Sequence, residues 1–404
     1  MKRKLLALSI AALSGTAVAG TVTTAGDDLI IGSKGDLSIA TKEGDFSFAI
    51  DGRMMWDADY FDGVHHNASS NADPGSNAFE SELRRARLAF KGTVYSDWHY
   101  KFQYTFNADS GGKNQLEDAY IKYTGWDIAD ITVGKYKFPF GLEELVSSKH
   151  ISTIERSAMV EFVRAGRSQQ NIQLSKGSKN YSWAFGLYEG AADENGSELY
   201  NLAGRVTFAP IVADDQVVHL GAAVFKSDID DSVPVNTSFT QRLSVHTADK
   251  IALTSNLNAN DHIQYGLEAA WMHGPFSLQS EYVSSSWEDD TNEVEYSGYY
   301  VQGTWTLTGE SRSYKGMSGI FDKISPKGAN GAVELVAKFE QGEIDDDRTG
   351  AIENGFDNIT VGVNWYVNKN VRLSANYITT SLDEDDANGE DKGNAFSTRL
   401  QLIW

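Results

Sequence analysis

Near its end the chain alternates with a period of two. Phe396, Leu400, Leu402 and Trp404 fall on one face of an extended backbone, with Thr398 between them, while Ser397, Arg399 and Gln401 fall on the other. The same period runs through residues 98–106, where Trp98, Tyr100, Phe102, Tyr104 and Phe106 alternate with His99, Lys101, Gln103 and Thr105. Such alternation marks a strand with one apolar and one polar face. It predicts strands over residues 46–56, 85–95, 98–106, 117–123, 131–136, 169–175, 181–188, 202–208, 217–225, 263–272, 276–283, 299–308, 333–340, 359–367, 371–378 and 396–404, sixteen in all. A soluble sheet would need a second layer over each apolar face. No helical stretch is present to supply one, so the apolar side faces lipid and the polar side a wet lumen.

The connections follow the same plan. Residues 96–97, 125–128, 176–180, 273–275 and 368–369 form short links, and 57–82, 137–168, 225–262, 284–295, 341–358 and 379–395 form long ones. Short periplasmic turns alternating with long outer loops describe a bacterial barrel. Residues 309–331 break this rule, being long on the short-turn side, and read as an ordered turn. The expected fold is all-β, a 16-stranded antiparallel transmembrane barrel.

Residues 1–19 carry Lys2, Arg3 and Lys4, an apolar run from Leu5 to Leu13 and Ala17-Val-Ala19, the pattern of a secretory signal peptide cut near Ala19. The apolar run is well short of the ~20 residues of a spanning helix. The expected organisation is a signal peptide over 1–19, a periplasmic segment over 20–44 and the barrel over 45–404. There is no cysteine, and 37 glycines stand against 6 prolines, which suits tight turns and uninterrupted strands. The formal charge of −21 becomes −24 once Lys2, Arg3 and Lys4 are removed. That acidity excludes a nucleic-acid partner. Much of it lies in three predicted loops, Glu288 to Glu295, Glu343 to Asp347 and Asp383 to Asp391, so it says little about the inside of a pore.

Several stretches resemble the phosphate-selective porin O/P family. They are Gly20-Thr-Val-Thr-Thr24, Phe46-Ser-Phe48 with Asp51-Gly-Arg53, Leu83-Arg-Arg-Ala-Arg-Leu88, Asp97-Trp-His-Tyr-Lys101, and Phe140-Gly-Leu-Glu143 with Ser147-Ser-Lys149 and Glu155-Arg156. Gly274-Pro-Phe-Ser277, Gly298-Tyr-Tyr300, Leu307-Thr-Gly-Glu-Ser-Arg312 and Gly362-Val-Asn-Trp-Tyr-Val367 continue the match in order along the mature chain. The resemblance implies a homotrimer of barrels whose loops fold inward to build a narrow path for anions such as phosphate.

The pleat places Asp51, Arg53, Arg85, Arg87, Lys91, His99 and Lys101 on the lumen side. Lys122, Arg205, Lys338, Arg372 and Arg399 also point inward, against the acids Asp118, Glu268, Glu281, Glu334 and Glu340. Guanidinium forks suit an anion that must exchange its hydration shell for protein donors. Arg84, Arg85 and Arg87 with Arg53 form the leading cluster. The competing reading is that these arginines brace the wall by pairing with Asp51, Glu82 or acids across the lumen. Segment 137–168 is the expected constriction loop, carrying Ser147, Ser148, Lys149, Arg156, Arg164 and Arg167; the resemblance implies that its serines and a basic residue help form the central site.

Two departures from the family pattern bear on selectivity. Glu144 stands where phosphate-specific members carry lysine, and it should repel phosphate unless a neighbour such as Lys149 compensates. In the 225–262 loop the expected arginine ladder keeps Arg242 and has His246, with Ser238 and Thr240 on the other rungs, which weakens the field at the mouth. The alternative is therefore a general, weakly selective porin. An outer-membrane barrel enzyme is a remote third reading, since His99 has no nucleophile partner in the pattern, and an adhesive or phage-receptor barrel is a fourth. No cofactor is expected, and no metal: the adjacent His65 and His66 read as solvated loop. Partners expected besides small anions are outer-membrane lipid, lipopolysaccharide and, through the terminal Trp404, the barrel-assembly machinery.

Overall fold

A computed structural model of the chain describes residues 20–23, 28–32, 37–66, 77–106, 115–163, 170–192, 198–351, 353–384 and 391–404. The expected signal peptide, Arg164 and Arg167 lie outside the described residues. Sixteen antiparallel strands close into one barrel. They are β1 Ser47–Asp62, β2 Asn77–Val94, β3 Trp98–Thr105, β4 Gln115–Tyr123, β5 Asp130–Lys135, β6 Asn171–Gly177, β7 Tyr181–Ala192 and β8 Glu198–Val212. The second half comprises β9 Gln216–Asp228, β10 Asp261–His273, β11 Phe276–Glu288, β12 Glu293–Thr306, β13 Ala332–Asp346, β14 Phe356–Tyr366, β15 Val371–Leu382 and β16 Lys392–Ile403. Every predicted strand is present in order. Most extend further toward the long loops than the alternation indicated; β1 runs on through Tyr60 and β2 begins ahead of Phe79, both exposed on the outer face.

Closure is made by β16 on β1, with Ala395 opposite Phe61 and Ile403 opposite Arg53. Trp404 continues this seam, exchanging backbone hydrogen bonds with Gly52 at 3.0 and 3.2 Å. Gly52 is required there: a Cβ would lie 2.2 Å from the Trp404 ring. Three short strands, Gly20–Thr23, Asp28–Gly32 and Leu37–Thr41, form a meander that pairs with the first residues of β1 at the short-turn end. The outward face is apolar, with Trp56 55 % and Leu267 59 % exposed, and carries Phe102, Val206, Phe208, Tyr265, Leu400 and Leu402. So large an apolar belt is stable only against lipid.

The lumen is not uniformly wet. The segment after β5 folds into it and carries two short helices, α1 Leu142–Leu145 and α2 Ala158–Phe162. Phe138, Met159 and Val160 from this segment pack with Tyr188, Phe225, Tyr296 and Tyr300 of the wall and with Phe239 and Leu243 of the β9–β10 loop. A dry core thus fills one side of the barrel and confines solvent to the other.

The link over 309–331 is more than an ordered turn. It forms a hairpin, Arg312–Lys315 with Ile320–Ile324, tucked into the barrel. Phe321 packs with Leu142, Val217, Ala270 and Met272, and Tyr314 Oη lies 2.8 Å from His219 Nδ1. Arg205 donates to the carbonyls of Ser318 and Gly319 at 3.0 and 2.9 Å and pairs with Glu268 at 2.6 Å. His65 is likewise not a solvated loop residue: it is buried with Nε2 3.1 Å from Thr380 Oγ1.

Candidate functional site

A cavity of about 690 Å³ runs between the β2–β6 wall, the infolded segment and the β9–β10 loop. Eleven lysines and arginines line it against five aspartates and glutamates, the reverse of the whole chain. Of the residues singled out from the sequence, Arg53, Arg84, Arg85, Arg87, Lys101, Glu144, Ser147, Ser148, Arg156, Arg242 and His246 all line it. Lys149 does not; it borders a much smaller cavity with His150, Lys323 and Arg372.

Strand geometry places the wall cations. Arg53 and Arg87 are register partners on β1 and β2, so both face inward together. Strict alternation would send Arg84 outward, opposite to Arg85. A register shift between Met55 and Trp56 leaves Arg84 as the extra residue of a bulge, and both arginines reach the lumen. Arg53 donates to Ser148 Oγ at 2.7 Å, Ser147 Oγ at 3.4 Å and Gln103 Oε1 at 3.3 Å, tying the infolded segment to the wall.

Most of the lining cations are held by carboxylates. Arg87 meets Glu117 at 2.7 Å, Lys101 meets Asp118 at 2.6 Å, Lys122 meets Asp130 at 2.7 Å, and His246 Nδ1 lies 2.7 Å from Glu82. Arg84 and Arg85 both pair with Glu155, at 3.0 and 3.2 Å. The bracing reading is thus realised at these two arginines, through a loop carboxylate rather than Asp51. Among the described residues Lys135, Arg242 and Lys250 meet no carboxylate; Arg242 Nε donates instead to the Ala248 carbonyl at 3.0 Å. Each of the three adds to the passage a positive charge that no carboxylate contact neutralises.

Glu144 is compensated, though not by Lys149. Lys137 Nζ lies 2.7 Å and Arg156 Nε 3.4 Å from its carboxylate oxygens. Arg156 also donates to the Glu143 and Val146 carbonyls at 3.0 and 2.9 Å and meets Glu161 at 3.5 Å. Lys149 is engaged by Asp51 at 2.6 Å. Burial pushes the Lys149 ammonium down, with Arg53 and Lys91 adding to that and Asp51 opposing it. The sequence reading missed Glu155, Lys135, Lys137 and Lys250. Lys135 and Lys137 were legible as basic residues leading into the constriction; Lys250 carries no local signal.

A closed sixteen-stranded barrel with an apolar belt outside and a basic, loop-narrowed passage inside defines an outer-membrane porin. Over residues 48–404 the chain matches the family described as phosphate-selective porin O and P. It is 32 % identical to Porin O of Pseudomonas aeruginosa over 433 aligned residues, 97 % of this chain and 96 % of that protein. The chain belongs to the phosphate-selective porin O and P family. In fold it is similar to an anion-selective porin from Comamonas acidovorans, at 12 % identity and a TM-score of 0.56, covering 89 % of this chain and all of that one. The outer-membrane channel DcaP of Acinetobacter baumannii gives 12 % identity, a TM-score of 0.57 and 90 and 99 % coverage. OmpT of Vibrio cholerae in its trimer form gives 10 %, 0.57, and 89 and 99 %.

Proposed function

We propose that this porin forms a water-filled passage for diffusion of small anions, phosphate among them, across the outer membrane. The observation that carries this reading is the lining of the passage, eleven basic against five acidic groups, with Lys135, Arg242 and Lys250 not neutralised by a carboxylate among the described residues. A solute entering such a constriction sheds part of its hydration shell. Only an anion gains lysine and arginine donors in return. Glu144 no longer argues for a general pore, since Lys137 and Arg156 balance it.

We infer a homotrimer, by analogy with the outer-membrane protein OmpT in its trimer form, which is similar in fold. We assign the N-terminal meander to the periplasmic side, a reading supported by its pairing with β1 at the short-turn end. Lipid and lipopolysaccharide would cover the apolar belt, and Trp404 at the closing seam would be the contact for the assembly machinery. The test is a titration of phosphate into a chloride solution bathing single channels. Progressive block of the chloride current is expected, and a current indifferent to phosphate overturns the proposed phosphate binding.

A further inference from the structure

Three arginines converge on one loop carboxylate. Glu155 is 7 % exposed. It accepts hydrogen bonds from Arg84 Nε and Nη2 at 3.0 and 3.1 Å, from Arg85 Nη1 and Nη2 at 3.3 and 3.2 Å, and from Arg399 Nη2 at 2.5 Å. Arg399, 1 % exposed, continues to Asp57 at 2.7 and 2.6 Å and donates to the Ile154 carbonyl. The cage spans adjacent strands in register: Asp57 faces Arg399 across β1–β16, and Met55 faces Arg85 across β1–β2. Five charge-assisted hydrogen bonds to one carboxylate are more than solute attraction needs, and they engage the forks of Arg84 and Arg85.

We propose that Glu155 is the positioning residue of the constriction, and that Arg84 and Arg85 act through it rather than on the solute. The infolded segment crosses the lumen and is exposed to the passage through Ser147, Ser148 and Arg156. Glu155 directly precedes Arg156, whose guanidinium turns the other way, toward Glu144 and Glu161. Fixing one residue against the wall therefore sets where the next presents its charge. Three arginines against Glu155 and Asp57 leave the cage with one net positive charge, so its electrostatic contribution to the passage is small for its size.

The inference rests on the anion-channel reading, and its test separates the two. Glu155→Gln keeps the shape and removes the charge. If Glu155 positions the loop, the variant conducts more, by about twofold, with noisier open states and lower anion selectivity, because a displaced constriction widens the path. If Glu155 only neutralises arginines, removing it adds a positive charge: selectivity rises and conductance does not, which overturns the proposal. Unchanged conductance, noise and selectivity overturn it as well. Gel mobility with and without heating checks that the barrel has closed.

Arg84→Gln provides a second route should that variant not fold. As an anchor, its loss raises conductance and noise; as a solute ligand, its loss lowers anion current without noise, which refutes the assignment. The unsubstituted channel, measured alongside, reports the other reading. If it is not anion-selective, the functional proposal fails. If it is selective and both variants behave like it, only the role of Glu155 fails.

Discussion

Glu144→Gln is the most informative single substitution in the passage. In the native chain the carboxylate sits 2.7 Å from Lys137 Nζ and 3.4 Å from Arg156 Nε, with side-chain exposures of 11 % for Glu144 and 20 % for Lys137. A unit pair at 2.7 Å carries about 6 kcal/mol at an effective dielectric constant of about 20, an upper bound that desolvation and residual solvent reduce greatly. Loop integrity should survive, because Arg156 keeps Glu161 and the Glu143 and Val146 carbonyls. The group of Lys137, Arg156, Glu144 and Glu161 then changes from neutral to one net positive charge. An anion about 5 Å from the released ammonium, in a wet constriction with an effective dielectric constant of about 50, gains about 1.3 kcal/mol, roughly tenfold in affinity. The assay is block of chloride current by added phosphate, and the half-blocking concentration should fall about tenfold. An unchanged value would place residue 144 off the solute path, and a higher one would show that Glu144 organises the ligands it neutralises.

Further outcomes follow from the same contacts. Replacing Lys135, Arg242 and Lys250 together by glutamine removes three lining cations that meet no carboxylate among the described residues, and should shift the reversal potential in a salt gradient toward the nonselective value. Glu268→Gln leaves the buried Arg205 guanidinium without its carboxylate, which costs about 3–5 kcal/mol; the 312–324 hairpin should become cleavable by added protease, while the native protein resists. Gly52→Ala sets a Cβ 2.2 Å from the Trp404 ring and should reduce the fraction that closes, read as heat-dependent gel mobility. Acid should release the constriction late. Burial alone would raise the Glu155 pKa, but Arg84, Arg85 and Arg399 hold it well below its ordinary value of 4.5. A depressed carboxylate contributes stability above its unfolded value and loses it as pH falls through the folded one. Open-channel noise at pH 4.5, the ordinary glutamate value, should therefore match that at neutral pH.

Strand number, order and the inward position of Arg53, Arg85 and Arg87 were legible because a two-residue period reports the face of every side chain. The period failed where geometry departs from it. Arg84 reaches the lumen only through a bulge, which nothing in Leu83-Arg-Arg-Ala-Arg announces on its own. Tyr188, Phe225 and Tyr296 face inward against Phe138 and Phe239, and an inward aromatic looks locally like a lipid-facing one. Glu155 and the Lys137–Glu144 pair depend on the path of the infolded segment, so their partners are set by tertiary packing rather than spacing. The hairpin over 312–324 was hidden for the same reason: its short strands bury Phe321 and Tyr314 inside a barrel that its own sequence does not describe.

The central claim is that the passage selects anions despite an acidic chain. Its most direct test is the reversal potential of the purified channel in a planar bilayer across a KCl gradient. A potential of the sign set by chloride, and reduced as ionic strength screens the lining charges, is the predicted result. A potential of the sign set by potassium, or none at all, would contradict it.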